Sequence, residues 1–478
     1  MKGDFTRNTF DPTKHYSRVL MQQGRVTLDA DSNEQTAILL HYLRTLTRDL
    51  IGPYAAPAED VGFQLSGVAG ALNITAGRYY VGGILVENDE NCLYSAQPYW
   101  KLPPDDGLLK DMKDQTGKVF WIYLDVWERH VTAIEDDSIR ESALGGPDTC
   151  TRAQVVWQVK ARLAPNVTIE KNGELSGSTC STPLGDLVSV SRARLAARVD
   201  PGHKVEDACV TPPDSKFRGR ENQLYRVEIH DDSDSGQPTF KWSRENGSVV
   251  TPWLGTEGND LRVAHTRGFS AGSWVELADD DLELQGKPGV LVKLTKVEGD
   301  LLSVDPASVP TTSALAWSPK LVHPKVRRWD QRANERTTLI RGGVPVKERT
   351  ATDPLWIDLE NGVQIEFSGE CRTGDYWLIP ARVAGGRIEW PTSLDAAGKE
   401  VADALPPHGV EHHYAPLGFV SWKNQKMSLA SCTCLFLPAR SCFNGGANLQ
   451  PPKEAIAIGM AGEPTPPRRP RGRKTPNR

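Results

Sequence analysis

The chain has 478 residues, of which 38% are hydrophobic and 24% charged, and its formal net charge is −5. The length predicts about two to four domains with buried cores. The small negative charge gives no general attraction to nucleic acid or anionic lipid, and no apolar run reaches the roughly 18 residues of a membrane helix. We therefore expect neither a nucleic-acid partner nor membrane insertion.

Residues 1–54 predict an irregular polar arm followed by one amphipathic helix. Ser32 and Gln35 have the spacing of a capping box at the helix start, and Gly52 with Pro53 ends the helix. Four leucines follow the spacing of a helix seam: Leu39, Leu43, Leu46 and Leu50. This stripe is explained either by docking against the chain's own sheet or by a subunit interface, since an amphipathic helix buries one face.

The arm carries charged side chains among turn-forming residues, and we interpret it as a segment that a partner orders. The residues expected to pair with neighbouring subunits are Asp4, Arg7, His15 and Arg25. The N-terminus lacks the positive-then-apolar pattern of a secretory signal, so synthesis in the cytoplasm without a signal peptide is expected.

After the helix, Gly and Pro recur about every ten residues between short segments rich in β-branched and aromatic residues, a pattern typical of β proteins. Residues 74–88 predict a hairpin with its turn at Gly82-Gly83, and residues 119–134 predict the strongest strand. The predicted class is mainly β, with antiparallel, sandwich-like modules, one N-terminal amphipathic helix and a disordered C-terminal tail.

The same punctuation divides the chain into six parts. They are an assembly arm and helix (1–54), a β domain (55–165), a loop-rich insertion or linker (166–215), a second β domain (216–345), a C-terminal β domain (346–445) and a flexible basic tail (446–478). The arginines of the tail could contact phosphates or an acidic surface, but nothing aromatic is interleaved to stack on bases.

Two clusters could bind a metal. His408, Glu411, His412 and His413 fall within six residues, but they match no standard ligand array, and a hydrogen-bonded structural loop is the favoured explanation. Cys432, Cys434 and Cys442 offer either zinc ligands or free thiols, while the scattered Cys92, Cys150, Cys180, Cys209 and Cys371 are expected to be reduced. No GxSxG, P-loop or dinucleotide-binding signature is present, and we expect no enzyme activity and no cofactor.

Aromatic residues repeatedly lie near arginine along the chain. The pairs are Trp127 with Arg129, Trp242 with Arg244, Trp329 with Arg328, and Trp377 with Arg382. Guanidinium groups that stack on indoles and pair with carboxylates would fix strand positions. The same residues also suit a ligand-binding surface, and exposed Trp242, Trp329 and Trp377 would be platforms for a glycan.

Several long segments together resemble a bacterial family of uncharacterised function. These are MKGDFTRNTFDPTKHYSRVLMQQGRVTLDADSNEQ at 1–35, LDVWERHVTAIEDDSIRESALGGPDTCTRAQVVWQVK at 124–160, ENQLYRVEIHDDSDSGQPTFKWSRENGSVV at 221–250, HPKVRRWDQR at 323–332 and GDYWLIPARVAGGRIEWP at 374–391. The resemblance spans residues 1 to about 435, and members of that family tend to accompany phage-tail-like contractile injection systems. The resemblance implies an assembly role, but no activity.

We therefore expect a non-enzymatic structural or assembly component of a phage-tail-like contractile injection particle: a baseplate, fibre or accessory protein. Its partners would be other subunits of the particle, including copies of itself. We expect either a homotrimer or attachment to a larger complex. Such a particle would be released or act outside the cell. Two alternatives remain open, a module that binds surface glycan and a metal-dependent enzyme or cargo effector.

Overall fold

The structure, a computed structural model, describes residues 1–68, 70–103, 105–170, 172–185, 187, 191–201, 216–232, 236–310, 316–333, 337–347, 356–424 and 426–437. The predicted fold class is confirmed, since 41% of the described residues are in strands and 14% are in helices. The helices are α1 Asp29–Ile51, α2 Gly107–Asp114 and α3 Asp280–Leu284. None of the helices in these described ranges is both long and apolar enough to cross a membrane. The predicted flexible tail lies outside the described residues.

The strands are short and mostly antiparallel. Those before residue 190 are β1 Tyr54–Pro57, β2 Leu65–Val68, β3 Ala71–Ile74, β4 Gly77–Val81, β5 Ile84–Asn88, β6 Cys92–Leu93, β7 Val119–Val131, β8 Arg152–Leu163, β9 Thr168–Ile169 and β10 Leu175–Ser176. Those from 190 to 330 are β11 Arg194–Val199, β12 Gln223–Asp231, β13 Thr239–Ser243, β14 Val250–Glu257, β15 Asp260–Val263, β16 Trp274–Ala278, β17 Val290–Glu298, β18 Leu301–Val304 and β19 Lys325–Trp329. The remainder are β20 Val344–Pro345, β21 Ile357–Asp358, β22 Val363–Ser368, β23 Tyr376–Arg382, β24 Arg387–Ile388, β25 Thr392–Leu394, β26 Glu400–Ala402, β27 His413–Lys423, β28 Lys426–Ser431 and β29 Leu435–Phe436.

The first core lies among three sheets, ordered β29-β1-β4-β5, β2-β3-β6 and β28-β27-β7-β8. β7 and β8 pair along their whole lengths, from Phe120↔Leu163 to Val131↔Arg152. The predicted hairpin at 74–88 is confirmed as the β4–β5 pair. Buried aromatic rings fill this core; those of Phe63 and Trp157 meet edge to face with centroids 4.9 Å apart.

The second and third cores belong to a sheet pair and a barrel. Sheets β20-β13-β12-β23-β24 and β11-β22-β21 enclose the second core, in which Tyr225, Phe240 and Trp377 are buried. A closed barrel, β14-β15-β18-β17-β16-β19, encloses the third core around Val275 and Leu294.

These three regions are nested along the chain. The barrel strands lie between β13 and β20, and the sheet pair as a whole lies between β8 and β27. The six-part division stays a prediction, but strand pairing joins segments on both sides of its boundaries, as in β7 with β27 and β12 with β23. β11, which pairs with β22, falls inside the segment predicted to be a loop-rich linker.

The start of α1 differs from the predicted capping box. The helix begins at Asp29, Leu28 is its N-cap without a side-chain cap, and Gln35 Oε1 accepts a hydrogen bond from the Val19 amide instead. Asp29 and Asp31 lie in the first turn, where carboxylates interact favourably with the helix dipole. The C-terminal end is as predicted, because Gly52 is the C-cap at φ +93°.

One expectation about the cysteines is wrong. Cys180 forms a disulfide with Cys432 across 252 residues, although Cys180 was expected to be an isolated reduced thiol. The bond joins the segment after β10 to the end of β28, over a small core that contains Trp121 and Phe419. Cys434 is an exposed free thiol, and Cys442 lies outside the described residues.

Candidate functional site

The beginning of the arm is held inside the body of the protein. Asn246 Nδ2 donates hydrogen bonds to the carbonyl oxygens of Met1 (3.1 Å) and Gly3 (2.9 Å). Lys2 Nζ lies 3.2 Å from Glu228 Oε1 and 5.7 Å from the ring centre of Trp329. The first three residues are therefore ordered by the chain itself, not by a partner.

The next part of the arm follows the surface towards α1. The amide and hydroxyl of Thr6 donate to Asp29, and the hydroxyl of Thr9 donates to Glu34 at 2.5 Å. Arg7 Nη1 lies 2.8 Å from Glu389 Oε1, so Arg7 has an ion pair within the chain, and its pairing with a neighbouring subunit stays a prediction. In the ranges that the structure describes, the side chains of Asp4, His15 and Arg25 have no ion pair.

The leucine stripe of α1 faces away from the body. Leu39, Leu43, Leu46 and Leu50 are 53%, 59%, 55% and 76% exposed, whereas the buried side of the helix carries Ala30 and Ile38. Docking of these four leucines on the chain's own sheet, one of the two interpretations of the stripe, is therefore wrong. The reason is local: the body meets the opposite side of the helix, where Arg44 Nη2 lies 2.9 Å from Glu128 Oε1.

Other exposed apolar side chains lie on the arm and on the flanks of the stripe. Of the 26 large hydrophobic side chains exposed in the described residues, 11 lie between residues 16 and 50, and they are Tyr16, Leu20, Met21, Val26, Leu28, Leu39, Leu40, Tyr42, Leu43, Leu46 and Leu50. We call this set the apolar arm–helix surface. An exposed apolar concentration of this kind marks an interaction site in a folded protein.

Sequence reasoning found four members of this surface and missed the rest. Tyr42 and Leu40 flank the stripe, and the arm residues show no periodicity from which burial or exposure could be inferred. The sequence feature that could have identified the arm residues is the occurrence of large apolar side chains in a segment without a strand or helix pattern.

A charged cavity of about 320 Å³ lies beside the arm's first residues. Lys241 Nζ is 2.5 Å from Glu276 Oε1 and 3.2 Å from Glu228 Oε1, and the Trp329 indole N–H donates to Glu276 Oε2 at 2.8 Å. Burial raises the pKa of Glu276, but the positive charges of Lys241 and Lys2 together outweigh burial and hold that pKa well below its usual range. The Lys241 charge is therefore paired with two carboxylates from neighbouring strands.

A second buried lysine occupies the centre of a carboxylate cluster. Among the described residues, Glu135, Asp280 and Glu283 form the group of three possible metal ligands whose oxygens lie within 4.8 Å of one another. Lys325 Nζ contacts all three, at 3.2 Å from Asp280 and 2.8 Å from Glu283. The ammonium group takes the place that a metal cation would require, and the lysine holds the pKa of Glu135 down to about 2 against the effect of burial.

The four residues of the predicted metal loop do not converge. His412 Nδ1 lies 2.6 Å from Asp125 Oδ1, and its ring is 4.8 Å from that of Trp127. His413 and exposed Glu411 are 3.8 Å apart, while the His408 ring lies 5.6 Å from that of Tyr376. The loop is thus held by hydrogen bonds and ring contacts, the alternative that the sequence left open.

The aromatic residues expected at a ligand surface are buried. Trp242, Trp329 and Trp377 are 4%, 0% and 1% exposed, so their expected exposure as glycan platforms is wrong. They belong to strands covered on both faces, and large apolar rings there fill the cores.

The predicted arginine–tryptophan stacks are replaced by other pairs. Lys160 lies over Trp127 at 5.7 Å and Lys241 over Trp329 at 4.6 Å, whereas the neighbouring arginines pair with carboxylates. Those ion pairs are Arg129 with Asp280, Arg244 with Glu360, Arg328 with Asp330, and Arg382 with Glu389. Arg328 and Trp329 are adjacent in β19 and therefore point to opposite faces of the strand, which prevents their stacking.

Fold and surface together define a mainly β protein whose most conspicuous exposed feature is the apolar arm–helix surface. The chain belongs to the family of unknown function DUF6519, which matches residues 1–168 and 170–468. Comparison with curated proteins finds no match, and comparison with solved structures finds none.

Proposed function

We propose that this protein is a non-enzymatic structural component of a phage-tail-like contractile particle and that it assembles through the apolar arm–helix surface. The exposure of the leucine stripe carries the proposal, because an apolar helix face of this length is stable in water when a partner covers it. The resemblance of its long segments to proteins that accompany contractile injection systems supports the kind of assembly.

Copies of the same chain are the partners that this helix face favours. Leu39 and Leu46 are seven residues apart, as are Leu43 and Leu50, which is the spacing of a helix seam. The flanking residues Leu40, Tyr42, Thr47 and Asp49 include a single charge. Since charged flanking residues select between different partners in such seams, an almost uncharged flank is compatible with self-association as a homotrimer or within a larger complex.

The helix alone is a weak interface, so the arm must contribute. A fully buried leucine contributes about 1.5–3 kcal/mol, so four leucines that are roughly half exposed contribute about 4 kcal/mol per helix. Association costs about 4–15 kcal/mol in lost translational and rotational freedom. Two such helices contribute about 8 kcal/mol, which lies within the range of that cost, so the additional burial of Tyr16, Leu20, Met21 and Val26 would supply the margin for a stable complex.

The proposed setting is a particle that is released or acts outside the cell. The Cys180–Cys432 disulfide supports an oxidising environment for the mature protein, because such bonds are rare in reducing compartments.

The test replaces Leu39, Leu43, Leu46 and Leu50 by Gln in one variant. We expect the wild-type protein to self-associate and the variant to be monomeric with an unchanged circular dichroism spectrum, because these side chains do not contribute to the described cores. Light scattering after size-exclusion chromatography measures the mass, and co-purification with the particle measures incorporation.

The matched control replaces three exposed leucines elsewhere, Leu144, Leu254 and Leu394, by Gln; they are 67%, 53% and 71% exposed. The control should assemble like the wild type. Equal mass and equal incorporation for wild type, variant and control would contradict the proposal.

A further inference from the structure

A small pocket lies between the arm and α1, beside the leucine stripe. Its volume is about 160 Å³. Aromatic rings and carboxylates from both elements line it, among them Phe10, Asp11, Tyr16, Glu34, His41 and Tyr42. The pocket therefore combines flat apolar walls with negative charge.

Each carboxylate is oriented by hydrogen bonds through one of its oxygens. Asp11 Oδ1 accepts from the Thr13 amide at 2.9 Å and from its hydroxyl at 2.7 Å, and Glu34 Oε2 accepts from the Thr9 hydroxyl at 2.5 Å. Within the described ranges neither carboxylate has an ion-pair partner. The second oxygen of each group remains able to accept a hydrogen bond from a cation.

The rings stand at angles to one another and form the walls of the pocket. The ring centres of Phe10 and His41 are 5.8 Å apart with 54° between their planes, and those of His41 and Tyr42 are 6.2 Å apart at 70°. Tyr16 and Tyr42 are 57% and 52% exposed, so their faces are accessible from solvent. A cation within about 6 Å of such a ring face is attracted by the ring's electrons.

The size of the pocket selects a compact group. An engineered cavity of about 150 Å³ accommodates benzene, which is a planar molecule larger than a guanidinium ion. Guanidinium is planar, stacks on aromatic faces and donates to carboxylates in a fork geometry, whereas an ammonium group is a strongly hydrated point charge. Shape and charge together favour guanidinium.

We propose that this pocket binds the guanidinium group of an arginine from a neighbouring protein subunit. Glu34 and Asp11 accept its N–H groups, and the rings of Phe10, Tyr16 and Tyr42 cover its faces. The inference rests on the proposed function, because assembly along the arm and α1 brings a neighbouring subunit to this pocket.

The test uses the full chain as the four-leucine Gln variant, in which no neighbouring subunit fills the pocket. It is titrated with N-acetylarginine methylamide and, for comparison, with the citrulline analogue, which has nearly the same shape without the charge. Chemical shifts of the tyrosine ring protons report binding. We expect millimolar binding of the arginine compound and at least about fivefold weaker binding of the citrulline compound, the size of effect of an exposed ion pair.

Glu34→Gln should weaken arginine binding about fivefold, since it removes the charge and retains an acceptor for Thr9. Glu90→Gln is the matched control, because Glu90 is exposed and has no hydrogen bond or ion pair in the described residues. Equal binding of the arginine and citrulline compounds, or equal binding by the two variants, would overturn the proposal.

Measuring both assembly of the wild type and arginine binding by the four-leucine Gln variant separates this inference from the proposed function. If the wild-type protein binds the arginine compound but does not assemble, the pocket proposal is supported and self-association is rejected. Normal assembly of the wild type, together with no arginine binding by the monomeric four-leucine Gln variant, rejects the pocket alone.

Discussion

At the scale of single residues, buried lysines determine how the cores meet. Lys241 and Lys325 are each 1% exposed, and each neutralises at least two carboxylates from other elements. A buried charge is tolerated only when it is paired, so these lysines fix the relative positions of β12, β13, β16 and β19. The arm joins the same network through Lys2 and Glu228.

Two buried histidines near this network make stability depend on pH. Burial lowers the pKa of both His130 and His230 to about 4, and the charge of Lys241 adds to the effect at His230. The unfolded chain, with an ordinary histidine pKa near 6.5, binds more protons between about pH 6.5 and pH 4. Stability is therefore lost as the pH falls through that interval.

We predict that His230→Gln removes part of this loss. Between pH 7 and pH 5 the free energy of unfolding of the wild type should fall by about 2 kcal/mol more than that of the variant, as linkage requires for this pKa difference. Urea denaturation at the two pH values measures it, with His265→Gln at an exposed position as the control. Identical pH slopes for wild type and His230→Gln would exclude this role.

At the scale of elements, the position of α1 depends on a close backbone contact. The β4–β5 turn approaches the middle of the helix, and a Cβ atom on Gly83 would lie 2.3 Å from the Arg44 carbonyl oxygen. Gly83 also has φ +85°, a conformation that favours glycine. Glycine is thus required both for the turn and for the approach of α1.

We predict that Gly83→Ala destabilises the protein by about 2–3 kcal/mol more than a matched glycine change, because the helix must shift. The match is Gly258→Ala, where φ is +61° and nothing lies within 4 Å of the added Cβ. Denaturant unfolding compares the two variants. An equal loss in both would show that backbone strain, and not the contact with α1, explains the effect.

At the scale of the whole molecule, the chain is closed by contacts between distant segments. β7 pairs with β27 near residues 119 and 421, and the disulfide joins Cys180 to Cys432. Both connections enclose the nested sheet pair and barrel. Long closed loops lose much of their unfolded-state entropy when they are cross-linked.

We predict that Cys180→Ser lowers the free energy of unfolding by about 2–4 kcal/mol and increases proteolysis near residues 168–187, which the bond fastens over Trp121. Cys150→Ser is the control, since Cys150 is an exposed free thiol. Denaturant unfolding under oxidising conditions gives the difference. A variant as stable as the control would mean that the bond adds no stability.

Local patterns predicted many elements correctly. The strand at 119–131, the Gly82-Gly83 hairpin and the end of α1 at Gly52 each follow from alternation, turn residues or a helix stop signal. The predicted start of α1 is wrong because Asp29 and Gln35 accept hydrogen bonds from Thr6 and Val19 of the arm, and a capping box does not represent such contacts.

In the candidate site, too, local patterns identify residues but do not predict which distant segments they contact. Heptad spacing identified Leu39, Leu43, Leu46 and Leu50 from the sequence, because helical periodicity is a local property. Whether those leucines face the body or solvent was left open, since that depends on which side of α1 meets Gly83 and Glu128. The burial of Trp329, the pairing of Lys325 and the Cys180–Cys432 bond likewise join residues far apart in the chain. The sequence by itself determined the mainly β class and the existence of an apolar helix stripe, and only tertiary packing decided that the stripe is exposed.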